Sequence, residues 1–300
     1  MPSYQPLEVA VPGGTLRGGV WGLRGPVVLC AHGITGTHVS FEALADQLGD
    51  GVRLVAPDHR GRGRSRDCNG PWGMTQHAAD LVAVLDHLGL ESADLMVGHS
   101  MGGFTAAVTA ALYPQRVKRI LMVDGGIPVI ESTWITRLPF GDAIIEWIVR
   151  RIIGPSLTRL DMGFDSIESY RKFWRAHPAL AADWSAYMEH YVDYDLVGQP
   201  PALRPSTRKD ALLADIRSQL EENLMWNCLK QLNLPLRFLR AEGGLMNGKP
   251  LYPEKKLQKQ LGRVRNASLR SVSGVNHFTI IISERGAREV AAEVRALLSP

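Results

Sequence analysis

The stretch Val97-Gly98-His99-Ser100-Met101-Gly102-Gly103 constrains the fold more than any other part of this chain. Ahead of it, Ala93-Asp94-Leu95-Met96-Val97 is a short apolar run of strand character. Behind it, Phe104 to Leu112 is rich in alanine and compatible with a helix. A strand, a Gly-x-Ser-x-Gly turn and a helix together make a sharp corner that pushes the serine hydroxyl out at the carboxyl end of the strand. Bulky side chains two residues either side would clash there, which suits Gly98 and Gly102. The N–H of Met101 would sit at a helix N-terminus, where it can stabilise a developing oxyanion. Ser100 is therefore a candidate nucleophile. A Gly-Ser-Gly pattern can equally mark any tight strand-to-helix turn, so the rest of the chain has to decide.

Upstream, Leu7–Val11 and Thr15–Trp21 flank Pro12-Gly13-Gly14 and read as a hairpin. Val27–Ala31 is a continuous apolar strand of the kind buried on both faces of a parallel sheet. A helix over Phe41–Leu48, a strand over Val52–Pro57 and a helix over Met74–Leu88 follow, and beyond the serine turn Val117–Asp124 is a further strand. The rhythm then breaks. Between Ile127 and Pro205 no apolar run has sheet character, and amphipathic pieces (Asp142–Ile153, Ile167–Ala176, Ala179–Tyr191) are separated by proline and glycine. Afterwards come a helical pattern over Arg208–Leu229, a strand over Leu234–Arg240, a helix over Leu251–Leu261, a strand over Ala267–Val272 and a closing helix over Ser283–Leu298. Such alternation predicts an α/β fold with a mostly parallel sheet and helices on both faces. Ligands bind such sheets outside the carboxyl ends of the strands. The loops beginning at His32, Asp58, Ser100, Asp124 and Ala241 would converge there, under a helical cap formed by residues 127–205. Residues 1–126 and 206–300 would form the core.

Three hundred residues suit one α/β domain with an insertion, and 45% hydrophobic and 21% charged residues are ordinary for a soluble protein. The net charge of +4 is mild and spread along the chain. Its one dense basic run, Arg60-Gly61-Arg62-Gly63-Arg64-Ser65-Arg66, reads as a structured turn with solvated arginines in preference to a phosphate site. Three widely spaced cysteines give neither a disulfide framework nor a metal motif, and Cys30 reads as core. The first residues show no signal-peptide pattern, and no stretch reaches the roughly 18 apolar residues that span a bilayer. A cytoplasmic protein without membrane or nucleic-acid partners is the expectation, and oligomeric state is not legible.

A serine nucleophile needs a base and a group to orient that base. Of the histidines after Ser100, His177 and His190 lie in the insertion and read as surface or pocket-lining. His277, in Gly274-Val275-Asn276-His277-Phe278, follows the last strand and can reach back over the sheet to Ser100. Four motifs, His32-Gly33-Ile34-Thr35-Gly36, Asp58 to Ser65, Gly98 to Gly103 and Asn276-His277, occur in that order across almost the whole chain. In these the chain resembles the α/β-hydrolase superfamily, in its serine hydrolase branch with a helical cap. The resemblance implies Ser100 as nucleophile, His277 as general base, and the backbone N–H groups of Ile34 and Met101 as oxyanion hole. It implies a structural role for the Asp58–Ser65 loop, and makes His32 and His99 loop-orienting residues. Aspartate-nucleophile relatives, the haloalkane dehalogenases and epoxide hydrolases, do not fit a serine at the corner.

The acid departs from the family pattern. Many relatives carry it in a Gly-x-x-Asp turn after the strand equivalent to Leu234–Arg240, and this chain has Gly244-Leu245-Met246-Asn247. Asp124, at the end of the strand after the corner, is the favoured acid, with Glu242 and Asn247 as the other candidates. The expected activity is cofactor-free, metal-free hydrolysis of a small hydrophobic or aromatic ester or lactone, with amides, thioesters and carbon–carbon bonds in reach of the same fold. Trp134, Trp147, Trp174 and Trp184, four of the chain's seven tryptophans, would contribute to substrate binding from the cap. The alternative is a hydrolase-like binding protein or weakly active form, suggested by Asn247.

Overall fold

The computed structural model describes residues 2–129, 154 and 157–299. An eight-stranded sheet in the order β1-β2-β4-β3-β5-β6-β9-β10 runs through it. Its strands are β1 (Tyr4–Val11), β2 (Gly14–Trp21), β3 (Val27–Ala31), β4 (Arg53–Pro57), β5 (Leu95–His99), β6 (Ile120–Val123), β9 (Leu236–Ala241) and β10 (Ala267–Val272). The β1–β2 and β2–β4 pairings are antiparallel and all others in the sheet are parallel. The expected α/β architecture is thus present, and the hairpin forms its edge.

Alternate residues of the central strands feed two cores, as the period of two in a strand requires. Val28, Cys30, Leu54 and Val97 face α1 (Glu42–Leu48) and the closing helix α10 (Glu284–Leu298). Leu29, Val55, Met96 and Met122 face α2 (Met74–His87), α3 (Met101–Leu112) and α8 (Glu254–Leu261). Burial on both sides explains why these strands read as continuous apolar runs.

The segment between β6 and β9 differs in detail from its sequence pattern. The expected helix over Asp142–Ile153 falls outside the described residues. Helices α4 (Ile167–Arg175) and α5 (Ala186–Tyr194) are present, each with a serine N-cap, Ser166 and Ser185. Two short strands, β7 (Leu196–Val197) and β8 (Arg204–Pro205), pair antiparallel where no strand was expected. At two residues each they are too short for a hydrophobic period to register. The pattern over Arg208–Leu229 is two helices, α6 (Lys209–Leu220) and α7 (Glu222–Gln231), because Glu221 leaves helical geometry at ψ 72°. Polar bonds fasten α5 to the core: Tyr187 to Asp46 at 2.7 Å, His190 to Glu42 at 2.7 Å and Tyr194 to Asp58 at 2.8 Å. Helix α9 (Thr279–Ile282) is a single turn.

The corner after β5 is sterically unforgiving. A Cβ on Gly98 would lie 2.3 Å from the Gly102 carbonyl oxygen, and one on Gly102 would lie 1.8 Å from that of Ala31. The loop after β6 presses on the same corner, where a Cβ on Gly125 would meet the Ser100 carbonyl oxygen at 2.1 Å. Gly125→Ala should therefore destabilise the fold by roughly 3 kcal/mol, the upper end of ordinary overpacking. Gly51→Ala, where nothing lies within 4 Å of the new Cβ, should stay within about 0.5 kcal/mol of wild type. Urea unfolding of the two variants checks this, and equal midpoints would contradict so tight an approach.

Candidate active site

Ser100 stands between β5 and α3 at φ 54°, a backbone conformation rare for a residue with a side chain. Its N–H donates to the Val123 carbonyl at 3.0 Å, which locks the corner to β6. Its hydroxyl lies 3.1 Å from His277 Nε2, and His277 Nδ1 lies 2.8 Å from Asp124 Oδ2. An ionised carboxylate only accepts, so Nδ1 carries the proton and Nε2 is left to accept from Ser100. Asp124 is fully buried at φ 46°, with its second oxygen accepting the Ala241 N–H at 3.0 Å. Two side-chain-bearing residues in left-handed geometry thus face each other across the site, and strain of this kind clusters at functional centres.

The His277 loop is held from several sides. Asn276 Oδ1 accepts the N–H groups of Phe278 and Thr279, both at 3.0 Å. Asn276 Nδ2 donates to the Ala179 carbonyl at 2.7 Å, tying the loop to the inserted segment. His99 Nε2 donates to the His277 carbonyl at 2.8 Å. Asn247 binds Asn276 Nδ2 at 3.3 Å and does not bond the imidazole, while Glu242 is exposed. Of the three candidate acids, the structure brings only Asp124 to His277. Asn247, the observation behind the binding-protein alternative, contacts Asn276 and lies outside the bonds that reach the imidazole.

His32 and His99 are loop-orienting in geometry as well as in sequence position. His32 Nδ1 donates to the Gly33 carbonyl at 2.8 Å, and its Nε2 accepts the His59 N–H at 2.8 Å. The bond to Gly33 turns the Gly33–Ile34 peptide so that its N–H points the opposite way. Ile34 lines the cavity beside Ser100, and Met101 opens α3, where the first amides of a helix have no partner within it. Burial lowers the pKa of His32 to about 4 and that of His99 to about 3, so both rings are neutral. Burial also holds His59 well below its ordinary value.

A cavity of about 180 Å³ opens over Ser100. Phe104, Val129, Leu220, Leu245, Phe278 and Ile281 give it an apolar wall. Trp134 and Trp147 lie outside the described residues. Trp174 and Trp184 are not among the lining residues, contrary to the expectation that they bind substrate. Trp174 is buried against Tyr170, Phe173 and Arg159, and Trp184 carries Arg175 over its ring. Their apolar area packs the inserted segment instead. The wall comes from positions that sequence reasoning passed over, including Ile216, Gln219 and Leu220 of α6. Phe104, Leu245 and Phe278 carry a signal, through their adjacency to motif residues.

The arginine-rich loop also needs correction. Arg60 and Arg62 are not solvated but fully buried. Arg60 forks onto Asp80, with Nε 2.6 Å from Oδ2, and Arg62 Nη1 lies 2.5 Å from Asp215 Oδ2. Asp58 accepts the His38 N–H at 2.7 Å and the Arg64 N–H at 2.9 Å. Burial alone would raise its pKa, but His38 outweighs burial and holds it below the usual value. Among the described residues no group of three or more potential ligands could hold a metal ion, and no helix is long and apolar enough to cross a membrane.

A family model described as the alpha/beta hydrolase fold matches residues 26–195, more than half of the chain. The chain belongs to the alpha/beta hydrolase family. It is 28% identical over 270 residues to the putative carbamate hydrolase RutD of Caulobacter segnis, covering 87% of this chain and 88% of that protein. A serine hydrolase-like protein of Danio rerio is 35% identical over 140 residues, which are 45% of this chain and 43% of that relative. The match thus spans under half of the zebrafish protein. The solved structure of an E-2-(acetamidomethylene)succinate hydrolase superposes with a TM-score of 0.77 at 20% identity over 99% of each chain, a likeness of fold. Hydrolase is the class that the family and these names share.

The neutral buried histidines of this alpha/beta hydrolase give its stability a pH dependence of definite sign. His32, His59 and His99 have folded-state pKa values below the ordinary 6.5. The unfolded chain takes up their protons first, so stability is lost as pH falls below 6.5. Near pH 5 His32 and His99 are neutral when folded and protonated when unfolded, a slope of roughly 2.5 kcal/mol per pH unit, to which His59 adds in the same sense. Glu42 raises the pKa of His190, which acts in the opposite sense, above pH 6.5. Urea unfolding at pH 7, 6 and 5 should show a steepening loss, and constant stability would contradict neutral burial.

Proposed function

We propose that this chain is a cofactor-free serine hydrolase that cleaves a carboxylic ester or lactone through an acyl-enzyme on Ser100. The observation that carries the reading is the unbroken bond sequence Asp124–His277–Ser100 at the floor of an apolar cavity. Ser100 Oγ attacks the carbonyl carbon as its proton passes to His277 Nε2. Asp124 stabilises the imidazolium so formed and keeps the ring in its Nδ1–H tautomer. The N–H groups of Ile34 and Met101 receive the charge on the carbonyl oxygen. His277 then protonates the departing alcohol, or the alkoxide end of an opened lactone. Water, deprotonated by the same ring, releases the acid and restores Ser100. Nucleophile and proton carrier are both side chains, so the proposal calls for no metal or cofactor.

Size and polarity narrow the substrate. The cavity is slightly larger than an engineered apolar cavity of about 150 Å³ that binds benzene. A short aliphatic or single-ring acyl group suits it. Carbamate and (acetamidomethylene)succinate, named for two of the similar proteins, present carbonyls open to the same attack, which supports acyl transfer as the chemistry. Residues 127–205 form a cap in this reading, with α6 of the core completing the acyl wall.

The test is a kinetic series on p-nitrophenyl esters of rising chain length beside a lactone panel, at matched folded fraction. Ser100→Ala should lower kcat by at least about a thousandfold, since losing a triad nucleophile costs several orders of magnitude. A variant retaining more than about a tenth of the wild-type rate would remove Ser100 from the role. Asp124→Asn should cost up to about 10⁴ in kcat, whereas Glu242→Gln and Asn247→Asp should leave it within roughly threefold. A large gain from Asn247→Asp with no loss from Asp124→Asn would assign the acid to position 247.

A further inference from the structure

Arg62 lies in the loop that the mechanism does not use, yet it touches two parts of the site. Its Nε donates to the Ile34 carbonyl at 3.0 Å, and its Nη1 donates to the Arg60 carbonyl at 3.0 Å and pairs with Asp215 at 2.5 Å. Ile34 is the residue whose N–H faces the reacting carbonyl in the mechanism above. Asp215 belongs to α6, whose Ile216, Gln219 and Leu220 form part of the acyl wall. One planar, rigid guanidinium therefore spans from the oxyanion loop to the helix that walls the substrate.

Asp215 is also the anchor of α6. Its Oδ1 accepts the Gly73 N–H at 2.7 Å and its Oδ2 accepts His77 Nε2–H at 3.0 Å. Three residues on, Ser218 Oγ accepts the Met74 N–H at 3.0 Å. Gly73 has no side chain with which to cap α2, so the wall helix caps it from outside. Burial would raise the Asp215 pKa, but Arg62 and His77 outweigh it and hold the carboxyl at about 2. A buried ion pair is weak evidence for stability, since well-packed apolar residues often serve as well. What such residues cannot supply is a fixed distance between a backbone carbonyl and a helix.

We propose that Arg62 and Asp215 are positioning residues for the hydrolytic site, setting the Ile34 oxyanion donor and the α6 acyl wall against one another. Acyl-chain selectivity and oxyanion stabilisation are then coupled through one ion pair. The inference rests on Ser100 being the nucleophile.

Three variants test it, compared with wild type at matched folded fraction and well below each Tm. In Arg62→Lys the single nitrogen reaches Asp215 or the Ile34 carbonyl but not both. Its kcat on the acetate ester should fall about tenfold to a hundredfold with KM within roughly threefold, less than the cost of losing a donor outright. Asp215→Glu keeps the charge but moves the helix outward by a methylene. It should shift the chain-length optimum and raise KM for long esters more than for acetate. The double variant Arg62→Gln/Asp215→Asn leaves no unpaired buried charge and keeps the proposal testable if a single variant fails to fold. It should show both effects.

A merely structural pair would lower Tm and leave kcat, KM and the chain-length profile unmoved, and that result in the folded variants overturns the proposal. The rate of fluorophosphonate labelling separates the two levels of failure. An unlabelled wild-type protein would sink the Ser100 reading itself. A labelled, active wild type with variants equal to it would sink the positioning role alone.

Discussion

The backbone contact among the ends of β3, β5 and β6 governs the rest of this structure. Gly102 rides on the Ala31 carbonyl and Gly125 on that of Ser100, at separations that no side chain could share. Bringing three chain segments this close leaves little freedom for what they carry. Ser100 is forced to φ 54° and Asp124 to φ 46°. Their side chains end within reach of one imidazole, so the strain and the site have one origin. The energy for it comes from the two apolar layers beneath, where central strand residues on both faces of the sheet are almost without exposure.

Above this floor the protein places charge where water is absent. Asp58, Arg60, Arg62, Asp80 and Asp215 are all buried, and each meets a partner from a distant part of the chain or from the backbone. Unpaired, any of them would cost several kcal/mol. Paired, they fix loops that hydrophobic contact cannot orient, because apolar packing has no direction. The Asp58 carboxylate receives Tyr194 of the inserted segment, and Asp215 receives the N-terminus of α2. The arginine loop thus fastens the walls of the cavity to its floor.

How much of this was legible in the sequence follows from how local each feature is. The strands of the eight-stranded sheet, the helices Glu42–Leu48, Met74–His87 and Glu284–Leu298 and the Ser100 corner depend on spacing within about ten residues, and they appear where the pattern puts them, whereas the pattern over Arg208–Leu229 divides into two helices. His277 was legible by its place after the last strand. Asp124 could be placed only among three candidates, because distance to an imidazole 153 residues away is a tertiary fact. Arg60 and Arg62 are buried against expectation for the same reason: a partner such as Asp215 lies on a different helix, and composition alone describes a solvated turn. Trp174 and Trp184 pack the inserted segment and do not line the cavity, because aromatic richness signals burial without saying against what. Leu196–Val197 and Arg204–Pro205 were too short to show a period.

In the proposed reaction, acyl transfer passes through a covalent bond to Ser100 served by His277. Intact-mass spectrometry of the enzyme acid-quenched during turnover of a slowly hydrolysed aromatic ester tests it directly. The proposed mechanism predicts a species heavier by the acyl group minus one hydrogen, with the added mass on the peptide containing Ser100. It should persist longer when His277→Ala removes the base that deacylates it. Steady product release with no acylated species at any quench time, or acylation on another residue, would contradict it.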